Sequence, residues 1–176
     1  MEECTVDTQY VLSGEHDADI MKIIRAIVAA EEPISARFLT KRTLATLGIF
    51  KFGVKLEGKI SSLIEKCAFK HEDILGATYY FRTDKFGTFD RYRVEENTAL
   101  RTSDADYSAY DVISAIKSVL LSKVSMYADE LAVAVQREFK VPRLSDKFAA
   151  FINSCIDYGV SKGIFVRSIS DKISMV

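Results

Sequence analysis

A chain of 176 residues that is 48% apolar and 28% charged, with only 8 Gly and 2 Pro, has the balance of a folded globular protein. It excludes a collagen-like, linker-like or mainly disordered chain, and no apolar run approaches the ~18 residues of a membrane-spanning helix. The net charge of −1 hides an asymmetry: residues 1–36 carry −6, residues 37–93 carry +6 and residues 94–176 carry −1.

The chain opens Met1-Glu2-Glu3-Cys4, acidic and without an apolar stretch, so no secretion signal is expected. Residues 1–14 read as an extended N-terminal arm, with residues 10–12 as an added strand. Ile20, Ile23, Ile24, Ile27 and Val28 then recur at the spacing of an amphipathic helix. Pro33 and Ser35 follow, the serine placed to cap a second helix whose apolar positions are Ala36, Leu39, Thr43 and Leu47. Gly48 and Gly53 bracket a turn. A third helix carries the stripe Leu56, Ile60, Leu63, Ile64 and Cys67. Beyond it, residues 78–82 read as an aromatic strand, 84–87 as a turn and 88–94 as the returning strand of a hairpin. Residues 95–107 are polar and read as a linker.

The remainder repeats the first half. A shift of 92 positions aligns residues 19–68 with 111–160 without a gap, with the identities Asp19/Asp111, Ile24/Ile116, Ala36/Ala128, Leu39/Leu131, Lys55/Lys147, Ile60/Ile152, Ser62/Ser154 and Ile64/Ile156. The apolar pattern of all three helices recurs, Ser108 with Asp111 supplies a helix start, and residues 163–176 read as a hairpin. Three helices and a hairpin follow the order of the winged-helix variant of the helix-turn-helix. The expected fold is therefore α+β and mostly helical, with two tandem winged-helix units over residues 15–94 and 108–176. Each is large enough to bury a core of its own.

Several of these residues also resemble a family. They are Glu31-Glu32-Pro33-Ile34, Leu47-Gly48-Ile49 with Lys51 and Gly53, Tyr79-Tyr80-Phe81 with Arg91 and Arg93, and Asp111-Val112-Ile113-Ser114-Ala115-Ile116. Over residues 20–162 the chain resembles the bacterial domain of unknown function at the C-terminus of large superfamily I DNA helicase-like proteins. Glu32 stands where that family usually has glycine, and no tryptophan occupies its usual aromatic positions. The resemblance implies an accessory module attached to the catalytic domains of a larger parent protein, with no catalytic residues of its own.

Motifs for chemistry are missing. The sequence has no GxxxxGK[ST], HExxH, CxxC or GxSxG. His71 with Glu72 and Asp73 reads as a solvated loop rather than a metal site, and no cofactor is expected. Cys67 and Cys155 lie on apolar stripes and read as small buried hydrophobes. The three cysteines, with Cys4, are odd in number and lack metal-ligand spacing, which suits a reducing cytoplasm.

The informative pattern is basic. Lys51, Lys55, Lys59, Lys66 and Lys70 follow the third helix of the first copy at spacings of 4, 4, 7 and 4. That helix is the reading element of a helix-turn-helix. Arg82, Lys85, Arg91 and Arg93 extend the set along the expected hairpin among aromatic residues, and Arg37, Lys41 and Arg42 lie on the second helix. Lysines without Arg, Asn or Gln on the same helix point to phosphate contacts with little sequence preference. At the matching positions the second copy has Arg143, Lys147, Phe151 and Tyr158, which reads as a packing or partner face. The sequence thus supports a non-catalytic module that binds DNA through backbone contacts of the first copy. The alternative is a protein–protein interaction module whose lysines are a solvated face. A free-standing transcription factor would need base-reading residues that the helix lacks.

Overall fold

The computed structural model describes residues 8–82, 88–94 and 106–176. The chain divides into two units, Met1–Phe86 and Gly87–Val176. Both are α+β, and each carries a small three-stranded antiparallel sheet. Among the described residues no helix is long and apolar enough to cross a membrane.

In the first unit, α1 (Thr8–Leu12) is a short helix that buries Val11 completely. The arm and added strand expected here are thus replaced over residues 8–12 by a helical turn held on the core by Val11 and Tyr10. The Tyr10 ring stacks on His16 at 3.7 Å, just before the next helix. Asp17 and Asp19 open α2 (Asp17–Glu31), where carboxylates favour the positive end of the helix dipole. Its line Ile20, Ile24 and Val28 is wholly buried. Burial of each such side chain contributes about 1.5–3 kcal/mol.

After the cis Glu32–Pro33 peptide comes β1 (Ile34–Ser35). Ser35 caps α3 (Ala36–Thr46) by accepting a hydrogen bond from the Phe38 N–H at 3.2 Å. The helix α4 (Val54–Lys66) buries Leu56, Ile60, Leu63 and Ile64, as its spacing requires.

The hairpin differs from the sequence expectation. Its strands are β2 (Lys70–Ile74) and β3 (Ala77–Phe81), with β1 on the other side of β3 in the order β1-β3-β2. Ile74 pairs with Ala77 across a two-residue turn in which Leu75 and Gly76 both have positive φ, 51° and 77°. That is the requirement of a type I′ turn. Residues 71–73 are therefore strand, not loop.

Residues 88–94 belong to the second unit and form no strand. Phe89 stacks on Tyr110 at 4.8 Å, the Tyr92 hydroxyl donates to Glu138 Oε2 at 2.6 Å, and the Arg93 N–H donates to Asp111 Oδ1 at 3.2 Å. Of the expected linker, Asp106 and Tyr107 are buried in this unit; residues 95–105 lie outside the described residues.

The second unit continues with α5 (Ala109–Lys123), β4 (Ser125–Tyr127), α6 (Ala128–Glu138), α7 (Asp146–Ser161), β5 (Phe165–Arg167) and β6 (Lys172–Met175). Its sheet order, β4-β6-β5, repeats that of the first unit. The 92-residue shift carries the bounds of α2 onto α5 and of α3 onto α6, and the start of α4 onto that of α7. The helix α5 is buried along most of its length and is capped by Ser108, whose Oγ accepts from the Asp111 N–H at 2.9 Å. Gly159, on α7, faces the Phe165 ring so closely that a Cβ there would overlap it.

Candidate nucleic-acid interface

The nine cations expected to form one surface fall in both units, and several of them are held by carboxylates. Lys59 and Lys66 turn toward the start of α2, where their Nζ atoms lie 2.6 Å and 3.7 Å from the two carboxylate oxygens of Asp17. The Lys59 side chain is only 22% exposed, and Lys66 is 58% exposed. Arg82 follows β3 beside Glu32, its N–H donating to Oε2 at 2.6 Å and its guanidinium 4.0 Å from Oε1. Arg93 Nε stands 3.7 Å from Asp111 Oδ1 in the second unit. Arg91 is exposed and also belongs to the second unit. Lys85 lies outside the described residues. Lys70 is the exposed first residue of β2. On α3, Arg42 is held by Glu31 through two hydrogen bonds to Oε1.

Lys51 and Lys55 remain. Both are exposed, and neither forms an ion pair among the described residues. They flank the start of α4, whose N-cap is Gly53. A glycine offers no side-chain acceptor, so the N–H groups of the first turn keep their hydrogen-bonding capacity. The equivalent end of α7 is closed: Ser145 Oγ accepts from the Phe148 N–H at 3.1 Å, and Asp146 sits in the first turn. Arg143 and Lys147 are exposed there, but they flank a capped terminus; a carboxylate stands in the first turn of both helices, Glu57 in α4 and Asp146 in α7.

The outward line of α4 carries no cation at its centre. Val54, Gly58, Ser61, Ser62 and Glu65 occupy it, opposite the buried stripe. Val54 is 85% exposed, and Phe50 in the preceding turn is 72% exposed. Neither apolar residue stands out in the sequence, because an apolar residue gives no sign of being outside until the buried face is known. Phe151 and Tyr158 of α7, which stand at the positions of Lys59 and Lys66, are half-buried, with Lys162 Nζ 5.4 Å from the Tyr158 ring.

Catalytic chemistry finds no constellation in the described residues. Among them, no group of three or more His, Cys, Asp or Glu is arranged to hold a metal ion. Asp73 accepts a hydrogen bond from Thr78 Oγ1 at 2.6 Å, and His71 packs edge-on to Tyr80. These residues line a cavity of about 400 Å³ with Ile64, Glu65 and Phe69. Burial pushes the thiols of Cys67 and Cys155 up, which keeps both protonated and unreactive at neutral pH. No family model matches the chain, and no curated protein or solved structure matches it either.

Proposed function

We propose that the chain is a non-catalytic module of two winged helices that engages a nucleic-acid backbone at the N-terminal end of α4. The observation that carries this reading is the open terminus at Gly53 between Lys51 and Lys55, against the capped terminus at Ser145. Backbone N–H groups at such an end favour an anion, and two adjacent ammonium groups add to the attraction. Phe50 beside them offers an exposed ring on which an unpaired base stacks. The element order helix, strand, helix, helix, strand, strand, which runs from α2 in the first unit and from α5 in the second, supports the winged-helix reading. The resemblance to helicase-associated domains supports an accessory place beside the catalytic domains of a parent protein.

The surface proposed is thus smaller than the lysine stripe read from sequence. A test follows the salt dependence of binding by fluorescence anisotropy with duplex and single-stranded oligonucleotides. Replacing Lys51 and Lys55 by Gln should flatten the slope by about 0.7–0.9 for each phosphate that is no longer neutralised. Arg143→Gln with Lys147→Gln should leave it unchanged. Equal binding by wild type and K51Q/K55Q would overturn the proposal.

One observation favours a second reading, a protein-docking face. Phe50 and Val54 are apolar and exposed within a rim of polar residues, the arrangement of a protein interface. Absence of any salt-dependent nucleic-acid binding by the wild type would select it.

A further inference from the structure

The second unit contains a cavity of about 560 Å³ between residues 89–92 and α5. From α5 it takes Ser114, Lys117, Ser118 and Leu121, spaced 3, 1 and 3 so that they share one helix face. Arg91 closes the other side.

Ser114 is the telling residue. It is 4% exposed, and its Oγ has no hydrogen-bond partner among the described residues. A buried hydroxyl without a partner costs free energy, and native interiors rarely keep one. Here the residue lines a cavity that also holds two cations. Arg91 is exposed and Lys117 half-buried, and neither forms an ion pair among the described residues. Lys117 is thus a half-buried charge without an ion pair among the described residues, on the same helix face as a hydroxyl without a partner. Asp90 at the rim is the one carboxylate in the described lining. The Tyr92 hydroxyl is already engaged by Glu138. Leu121, 75% exposed, adds an apolar wall one turn beyond Ser118.

We propose that this cavity binds a small organic anion. One phosphoryl or carboxylate group sits between Arg91 and Lys117 and accepts a hydrogen bond from Ser114 Oγ, while an apolar portion covers Leu121. Arginine presents paired donors to two oxygens of such a group, and lysine supplies a point charge. The ligand satisfies the hydroxyl and the two cations together. This proposal is independent of the α4 terminus, because its residues lie wholly in the second unit.

The test titrates the full chain with phenyl phosphate, benzoate and inorganic phosphate, following amide shifts by NMR. Saturable binding at millimolar concentration or below is expected, centred on Ser114 and Lys117. Phenyl phosphate should bind more tightly than inorganic phosphate, since only it reaches Leu121; benzoate reports whether a carboxylate suffices. Ser114→Ala should weaken binding about tenfold, the effect of one hydrogen bond to a charged group. Arg91→Gln with Lys117→Gln should abolish it, and both positions are solvent-accessible enough to leave the fold intact. No saturable binding by any of the three probes would overturn the proposal. So would binding unchanged in both variants, or displacement of phenyl phosphate only by an oligonucleotide and never by the small anions.

Discussion

Lys59 Nζ and Asp17 Oδ1 lie 2.6 Å apart, joining the middle of α4 to the first residue of α2. The pair is about three-quarters buried on both sides, and Lys66 approaches the second oxygen of the same carboxylate. One aspartate thereby withdraws Lys59 from the surface of the helix and draws a still exposed Lys66 toward it.

Asp17→Asn should release both. Loss of the pair should lower stability by about 1 kcal/mol, read as a fall in the thermal midpoint. If α4 contacts phosphate, the freed lysines should steepen the salt dependence of nucleic-acid binding by up to about 0.9 for each. A steeper slope with lower stability is the expected result. An unchanged slope would mean that the lysine face does not reach the ligand even when free.

Two glycines on equivalent helices should respond in opposite directions to alanine. At Gly58 of α4 an added Cβ meets no neighbouring atom, so Gly58→Ala should stabilise by about 0.5–1 kcal/mol. At Gly159 of α7 the Cβ would overlap the Phe165 ring, so Gly159→Ala should destabilise by about 1–3 kcal/mol. Chemical denaturation of the two variants compares them directly.

Leu75 holds φ of 51° in the turn between β2 and β3, a conformation that costs an ordinary side chain about 1–2 kcal/mol. Asparagine tolerates it, and Asn-Gly is the preferred pair for this turn. Leu75→Asn should raise the melting temperature; a fall would show that the leucine side chain is needed for packing.

Four groups tie stability to alkaline pH in the same direction. Burial raises the thiols of Cys67 and Cys155 and the Tyr80 hydroxyl, and the hydrogen bond to Glu138 raises that of Tyr92. Each group holds its proton more tightly when folded than when unfolded. Their contribution is complete below the unfolded values, near 8.5 for Cys and 10 for Tyr, and is lost as pH rises through the folded values. The thermal midpoint should therefore fall from about pH 8.5 upward. Cys155→Ala, though less stable throughout, should lose less between about pH 8 and pH 10 than wild type.

The helices were legible because their information is periodic and occurs twice. Ile20, Ile24 and Val28 against Val112, Ile116 and Leu120 place two helices with matching ends. The first hairpin was not legible, for a local reason. The strand Lys70–Ile74 is charged and mostly exposed, and its turn begins with leucine, so neither signals a strand or a turn. Aromatic residues 89 and 92 looked like the missing strand, yet they serve as anchors on the second unit. The site was legible only in part. A helical wheel gives the direction of Lys59 and Lys66 but not the carboxylate that meets them, because Asp17 comes from another helix. The absence of a cap at Gly53 was readable in principle; its contrast with Ser145 carried the signal.

Gly159 and Phe165 have counterparts in the first unit. The shift of 92 puts Cys67 at the position of Gly159. His71 pairs with Tyr80 as Arg167 pairs with Ile173, so Phe69 and Phe165 stand two residues ahead in matching register. Where the helix offers glycine, the ring is buried; where it offers cysteine, the ring is half-buried and borders an open cavity. The helix residue and the strand residue thus form a steric couple that the two repeats have resolved differently. Exchanging one hairpin for the other would set Phe165 against a cysteine and Phe69 against a glycine. The ring is phenylalanine in both repeats, so the helix residue alone sets how deeply it sits, and a chimera that exchanges hairpins would take its ring depth from the helix it meets.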